Sequence, residues 1–387
     1  MIGFFSYQNT KKMKKKLLII HPALAPYRID QFNAISRLFD LEVVFIFGNV
    51  WNHKFDQKKL LSQLIFKVSF LLKGPRLKGR VFRFGMYRSI RKINPDVVFG
   101  YEFSFSTQYL ILLKRLGLLR QKIGTTIDDS IDICNNIQSK TRLFARRNAI
   151  KHLDYIVVLS TEVSEFYQKT FHLRESQIIV SPILQDADRL RSKAEDLDAI
   201  ANQYVRDYDL FGKKVLLFVG RFISEKALPN FVDTIHSLLL EHKDLVLVLV
   251  GDGDEKQKLQ VQIAERRLEH KVLLPGRFEG EELYAWYLCA SGFVLPSTYE
   301  PFGAVVNEAL IFGLPVFCTK YAGASYLVQP GKGLLFDPLS KSDTTNGLLN
   351  FLPILSPVGK IDLMHRPSLM ANENDMFTSE WNKLYRD

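Results

Sequence analysis

The sequence predicts an α/β protein with two parallel sheets, each in its own domain. Short apolar strands alternate with amphipathic helices, as parallel βαβ units require, and this rhythm breaks off over the charged stretch 186–211 and then restarts. The chain is also long enough: 387 residues with 47% hydrophobic content supply apolar mass for two cores and exceed what one ordinary core holds.

In the first half, strands are predicted at 16–20, 42–47, 96–100, 123–126, 155–159 and 177–181, with helices over 27–38, 105–116, 142–151 and 161–170. In the second half, strands are predicted at 215–219, 245–250, 272–274, 292–295, 315–318 and 333–336. The expected domains are therefore 1–190 and 212–370, joined by a linker at 191–211. A C-terminal helix within 371–387, with Phe377, Trp381 and Leu384 at helical spacing, is expected to return to the first domain. Residues 1–12 read as a frayed extension ahead of an alternative start at Met13. No repeat of 20–50 residues is present, which excludes solenoids and propellers.

Lys14 to Lys16 followed by Leu17-Leu18-Ile19-Ile20 imitate a signal peptide, but the apolar run ends at His21-Pro22, short of the about 7–15 residues an h-region needs. A first parallel strand accounts for it. No run of about 18 apolar residues occurs, so no membrane-spanning helix is expected. Cys134, Cys289 and Cys318 are odd in number, lack metal-ligand spacing and sit in apolar sequence, which points to buried thiols in a reducing compartment. The histidines show no zinc-binding spacing.

The net charge is +11, and its excess is concentrated. Between Asp56 and Asp96 there are eleven Lys or Arg residues and no acid. Leu60, Leu61, Leu64, Ile65, Val68, Leu71 and Leu72 fall at helical spacing there, so residues 57–92 read either as a core-facing helix with a solvated basic face or as a helix on an anionic membrane. No nucleic-acid motif accompanies the charge, and a nucleic-acid partner is not expected.

Six segments carry candidate chemistry, each at the C-terminal end of a predicted strand, where open α/β sheets bind ligands. Gly220-Arg221 with Lys226 follows the strand KVLLFVG and suits a diphosphate through close backbone approach and fixed positive charge; a solvated turn is the plain alternative. Gly251-Asp252-Gly253-Asp254 contains an Asp-x-Asp pair that could hold a divalent ion or merely cap the next helix. Asp128 and Asp129, with Asp132, follow IGTTI and read either as ligand carboxylates or as a helix cap. His21, Tyr27, Arg28 and Asp30 follow the first strand, and Tyr101, Glu102 and Ser104 follow the third, in equivalent places.

The sixth segment, 295–323, holds Glu300 and Glu308 around Pro301-Phe302-Gly303 and an apolar helix ended by Gly313 and Pro315. Pro301 is expected at the first helical position, leaving a helix N-terminus open to an anion. A glycosidase pair needs carboxyl groups about 5–9.5 Å apart, whereas eight helical positions span about 12 Å at 1.5 Å each. Two carboxylates gripping different parts of one extended ligand fit better, with phosphate held between them.

Taken together, Gly220-Arg221 with Lys226, Gly251-Asp252-Gly253, Pro275-Gly276, Tyr287 to Ala290, Pro296-Ser297 with Tyr299 to Gly303, Asn307-Glu308-Ala309, Gly313-Leu314-Pro315, Gly323 and Gly333 to Pro338 resemble family four of the retaining glycosyltransferases. The likeness covers about residues 212–340, in the family's order. It implies the GT-B fold, in which two Rossmann-like domains face a central cleft, the second holding a nucleotide sugar and the first the acceptor. Carried over by position, Arg221 and Lys226 neutralise the diphosphate beside Gly220 and the N–H groups of Phe302 and Gly303. Glu300, next to Pro301, grips hexose hydroxyls and Glu308 the ribose, while Gly276, Arg277 and Phe278 line the nucleobase pocket.

The resemblance further implies a retaining hexosyl transfer from a UDP- or GDP-linked donor to a saccharide or lipid-linked saccharide in cell-surface polysaccharide synthesis, with no metal and no cofactor. The implied catalytic set is Glu300, Arg221, Lys226 and Asp128 or Asp129, these last standing where the family often has a histidine. His21, Tyr27, Arg28, Tyr101 and Glu102 are the acceptor-side candidates. The implied location is cytoplasmic, with residues 57–92 docking peripherally on the inner membrane face. Ala227 stands where the family usually has glycine, Tyr326 where many members have an acid, and the N-terminal Gly-rich loop is replaced by 21–28. A silent nucleotide-sugar-binding subunit, or an epimerase or hydrolase on this fold, is the alternative reading.

Overall fold

The structure is a computed structural model that describes residues 14–50, 54–77, 80–136, 140–370 and 373–386. The extension at 1–12, Met13 and Lys78 lie outside the described residues. The first sheet contains β1 (Lys16–His21), β2 (Asp40–Phe45) and β3 (Lys67–Phe70). A small hairpin of β4 (Arg76–Leu77) and β5 (Arg80–Val81) precedes β6 (Val97–Tyr101), β7 (Lys122–Thr126), β8 (Tyr155–Val158) and β9 (Ile178–Val180). Its seven strands run parallel in the order β3-β2-β1-β6-β7-β8-β9.

The run Leu17-Leu18-Ile19-Ile20 is apolar throughout because helices cover both faces of the sheet. Leu18, Ile20 and Val98 share a core with Ile90, Leu110 and Ile150 from helices Met86–Ile93, Phe105–Arg115 and Lys140–Ile150. Leu17, Ile19 and Val97 point the other way. They meet Phe32 of helix Ile29–Leu38 and Trp381 of helix Asn374–Trp381, so the C-terminal helix packs into the first domain's core.

The second sheet is formed by β10 (Lys214–Val219), β11 (Leu245–Val250), β12 (Val272–Gly276), β13 (Gly292–Leu295), β14 (Val316–Thr319) and β15 (Gly333–Phe336), all parallel in the order β12-β11-β10-β13-β14-β15. In both sheets the strand order reverses beside the first strand, between β1 and β6 and between β10 and β13. Those reversals open a crevice at the carboxyl ends of the strands.

Three expectations are corrected. Residues 60–72 are not one amphipathic helix: helix Gln57–Leu61 is short, and β3 then pairs with β2 at the sheet edge, Glu42 opposite Lys67. Phe66 and Val68 pack on the core from alternate positions, so a period of two prevailed once an edge was available. The expected linker 191–211 contains helix Ala194–Asp207, whose Leu197, Ala201 and Val205 recur every fourth residue and are buried in the second core. Its charges face outward, which is why the stretch resembled a joint. The chain crosses between domains at 181–186 instead. Finally, helix Ala304–Ile311 starts after Pro301, with Gly303 at φ 93 as its cap. A Cβ on Gly303 would stand 3.0 Å from Leu295 Cδ2 and 3.3 Å from Glu300 Cγ in a backbone region that already favours glycine.

Candidate functional site

A cavity of about 920 Å³ lies between the domains. Its second-domain wall includes Gly220, Arg221, Lys226, Arg277, Phe278, Glu300, Pro301, Phe302, Gly303 and Glu308, so the segments after β10, β12 and β13 converge there. Arg221 is exposed at the end of β10 and has no ion pair or side-chain hydrogen bond among the described residues. Lys226 forms an ion pair with Glu300, with side-chain exposures of 15% and 10%. Ala304 and Val305, the first turn of helix Ala304–Ile311, face the same space. A helix N-terminus, a free guanidinium and an ammonium together make a site for an anion.

Ala227, following Lys226, adopts φ 52. A left-handed conformation costs a residue with a Cβ about 1–2 kcal/mol, which explains why glycine suits this place.

Glu308 also reaches the cavity. Its Oε2 accepts from the Tyr287 hydroxyl at 2.6 Å and its Oε1 from the Gln185 amide at 3.0 Å. Burial raises its pKa above the ordinary value, against the lowering pull of the Tyr287 and Gln185 hydrogen bonds and the Arg189 charge. Glu300 and Glu308 thus sit on one wall, each with its own protein partners.

Gly276 is not on the wall. Its carbonyl accepts from the Gly251 N–H at 2.8 Å, and Arg277 and Phe278 face the cavity instead. Arg277 pairs with Glu279 and donates across the cleft to the Lys54 carbonyl at 3.1 Å. Gly251 and Asp252 line the cavity, and the two glycines of Gly251-Asp252-Gly253 allow close backbone packing. A Cβ on Gly251 would fall 1.8 Å from the Gly220 carbonyl oxygen, and one on Gly253 would fall 2.5 Å from that of Phe222. Asp252 accepts from the Gly253 N–H at 2.9 Å and lies 3.4 Å from Lys256. Among the described residues no group of three or more His, Cys, Asp or Glu side chains is arranged to hold a metal ion.

The first-domain wall includes Tyr27, Arg28, Asp56, Lys59 and Asp128. Arg28 is buried, forms an ion pair with Asp128 and donates to Gln31 at 2.6 Å, while the Tyr101 hydroxyl donates to Asp128 at 3.1 Å. Burial works to raise the Asp128 pKa, but the Arg28 charge, with the hydrogen bonds from Arg28 and Tyr101, outweighs it and holds the carboxyl below its ordinary value.

His21, Tyr101, Glu102 and Asp129 do not line this cavity, which corrects their expected place on its wall. Tyr101 and His21 pack edge to face at 5.1 Å, with the Arg28–Asp128 pair between them and the opening. His21 borders a second cavity of about 20 Å³ that shares Arg28 and Asp128. Burial, then the Arg28 charge, lowers its pKa to about 3, so the ring is neutral, with Nδ1 3.1 Å from the Ala23 carbonyl. Asp129 turns away from Asp128 to meet Arg146 at 2.7 Å, as successive extended residues do. Glu102 has φ 46, and burial, with the charges of Asp128 and Asp129, raises its pKa to about 7.

Gln185, Arg189, Asp56 and Lys59 were not anticipated as site residues. Lys59 belongs to the basic run seen in sequence, but nothing local marks Gln185, which meets a carboxylate 123 positions away. The three cysteines are buried and unpaired.

Residues 206–353 match the family model described as glycosyl transferases group 1. The chain is 29% identical to 2-deoxystreptamine N-acetyl-D-glucosaminyltransferase of Niallia circulans over 164 residues, 42% of each chain. It is 34% identical to GDP-mannose-dependent alpha-mannosyltransferase of Mycolicibacterium smegmatis over 127 residues, 33% of this chain and 31% of that one. The chain therefore spans less than half the length of these relatives. The Anabaena HepE protein, solved in complex with UDP, superposes with a TM-score of 0.70 at 17% identity, covering 96% of this chain and 100% of the other. The fold is GT-B, and the match to the glycosyl transferases group 1 model falls on its second domain.

Proposed function

We propose that the chain is a retaining, metal-independent glycosyltransferase moving a hexose from a UDP- or GDP-linked donor to a saccharide or lipid-linked saccharide acceptor, in cell-surface polysaccharide synthesis. The observation that carries this reading is the single wall on which unpaired Arg221, the Lys226–Glu300 pair, the first turn of helix Ala304–Ile311 and Glu308 face one cavity. The donor's diphosphate lies between Arg221, Lys226 and the helix N-terminus, Glu300 takes hexose hydroxyls, and Glu308 takes the ribose. HepE, which shares the fold, was solved with UDP and with UDP-glucose, and the mannosyltransferase relative depends on GDP-mannose.

In the proposed front-face step, the acceptor hydroxyl forms the new bond to the anomeric carbon on the side from which the diphosphate departs. The bond to the leaving oxygen breaks, and that oxygen takes the acceptor proton. The protein's part is to stabilise the charge gathering on the diphosphate, which fixed cations can do without reorganising. Asp128, Tyr27 and Arg28 face the donor wall and orient the acceptor.

The test is release of nucleoside diphosphate from a panel of nucleotide sugars, with and without saccharide acceptors. Acceptor-dependent release with the anomeric configuration kept is expected. Donor consumption without acceptor indicates the hydrolase or epimerase reading, and binding without turnover indicates the silent subunit.

We also propose that the protein is cytoplasmic and docks peripherally on an anionic membrane through the first domain. No helix among the described residues is long and apolar enough to cross a membrane. Helices Met86–Ile93, Phe105–Arg115 and Lys140–Ile150 cover one side of the sheet. Exposed Arg88, Arg91, Lys92, Arg115, Arg120 and Arg147 accompany exposed Phe84, Leu112, Leu116, Leu118 and Phe144 in this region. Cations and apolar side chains in this combination suit an anionic lipid surface. Flotation with anionic vesicles is expected to carry the protein, and Arg88→Glu with Arg91→Glu to weaken it by about 1 kcal/mol per cation. Equal behaviour with neutral vesicles overturns the docking.

A further inference from the structure

We infer that Gln185, in the segment that crosses between the domains, is a positioning residue of the nucleotide site, holding the Glu308 carboxylate so that its free acceptor positions face a vicinal diol. The inference rests on the proposed role of Glu308 as the ribose grip.

An ionised carboxylate offers about four acceptor positions on its two oxygens. The protein fills one on each: Tyr287 donates to Oε2 at 2.6 Å and Gln185 to Oε1 at 3.0 Å. The positions left over, one per oxygen, are what a pair of adjacent hydroxyls requires, and Glu308 lies on the cavity wall where such a ligand would sit. Two donors on different oxygens also fix the carboxylate plane, which a single donor would leave free to rotate.

Gln185 is itself held. The side chain is 8% exposed, and its Oε1 has no hydrogen-bond partner among the described residues, so the bond to Glu308 is the polar contact that accounts for burying this amide. On either side, the crossing segment is tied to the helix that carries Glu308. Asn307 donates to the Ile183 carbonyl at 2.6 Å, and Arg191 donates to the Ile311 carbonyl at 2.7 Å. Toward the first domain, Asp30 accepts from the Asp186 N–H at 2.9 Å and from both Arg189 Nε and Nη2, at 2.7 and 2.8 Å. The ribose grip is therefore registered against the crossing segment, and through it against the first domain.

The charged and titratable groups facing Glu308 are Tyr284 and Tyr287 of helix Glu281–Leu288 and Arg189 of helix Ala187–Arg191, and beyond them Asp30 of helix Ile29–Leu38 pairs with Arg189. Gln185 is the donor to Glu308 that does not titrate. Replacing it with leucine removes a hydrogen bond that favours the ionised carboxylate, so binding that depends on that form weakens further as pH falls.

The experiment measures, by calorimetry on the full chain, the preference for UDP or GDP over the 2′,3′-dideoxy counterpart. The wild type is expected to prefer the ribonucleotide, Glu308→Gln to lose that preference, and Gln185→Leu to reduce it about tenfold, the scale of one hydrogen bond to a charged group. The reduction should deepen at lower pH. Gln185→Glu keeps the preference while the two carboxyls share a proton and loses it as pH rises. Preference unchanged in Gln185→Leu but lost in Glu308→Gln overturns the inference alone, as does a Gln185→Leu loss shared equally by ribo- and dideoxynucleotide. No preference in the wild type overturns the ribose reading and this inference with it. If the leucine variant does not fold, a pH-independent preference in Gln185→Glu overturns the inference.

Discussion

The two domains are built on the same parallel plan, yet they treat charge in opposite ways where they face each other. On the second domain's wall Arg221 has no side-chain partner among the described residues, and Lys226 meets Glu300 within reach of the cavity. On the first domain's wall the buried Arg28 and Asp128 neutralise each other, with Tyr101 behind them, while exposed Lys59 lines the same wall nearer solvent. A wall with a free cation is suited to an anion. A buried pair neutralised in place is suited to hydroxyls, which gain from fixed dipoles and are indifferent to net charge. The contrast supports the proposed donor and acceptor sides on electrostatic grounds.

The strongest way to break this contrast is to remove the charges of the second wall. Arg221→Ala, Lys226→Ala or Glu300→Ala should each cost about 100- to 1,000-fold in transfer, or about 2.7–4 kcal/mol of barrier, with circular dichroism unchanged. Near-normal turnover by all three would sink the donor-side assignment.

The first wall should respond in stability. Asp128→Ala leaves the buried Arg28 guanidinium without its counter-charge, a loss of about 3–5 kcal/mol for a buried pair broken on one side. Because the folded pKa of Asp128 lies below its ordinary value, the stability it supplies is fully present above the unfolded value of about 3.9 and disappears as pH falls through the folded one. Urea midpoints of variant and wild type should therefore differ at pH 7 and converge in acid; a gap independent of pH would refute this account.

Glu102 behaves in the opposite sense. With its folded pKa raised to about 7, the folded chain retains a proton that the unfolded chain releases at lower pH, so its contribution to stability falls as pH rises from the unfolded value to about 7. Glu102→Gln should gain about 1–3 kcal/mol over the wild type at pH 8 and little at pH 5. The same gain at both values would show that the carboxyl does not titrate there.

The smallest effect returns to the second domain. Ala227→Gly relieves a left-handed residue at φ 52 and should stabilise by about 1 kcal/mol, read as a higher denaturation midpoint. A lower midpoint would mean that the added freedom of the unfolded chain outweighs the strain.

The domains also differed in how much could be read in advance. In the second, all six strands were located within a residue or two, because strands buried on both faces must be apolar throughout and that signal is local. Its site residues cluster for the same reason: Gly220, Arg221 and Lys226 are neighbours in sequence, as are Glu300 and Glu308. In the first domain, β3 escaped notice because an edge strand buries little and its KVSF pattern lay inside an apparent helical spacing. Arg28 and Asp128 could each be nominated, but their pairing across 100 positions could not. Tyr101 was expected on the wall and instead supports it from behind.

By itself, then, the sequence determined the two sheets, the order of the strands along the chain and the segments proposed to bind an anion, since hydrophobic period, glycine conformation and clustered charge act over a few residues. The tertiary structure alone decided which charges are neutralised and which remain free, where the chain crosses between domains, and that Gln185 reaches Glu308. Those outcomes depend on which distant groups are buried together. A side chain's hydrogen bonds and protonation state follow from its surroundings in space, and adjacent residues carry no record of them.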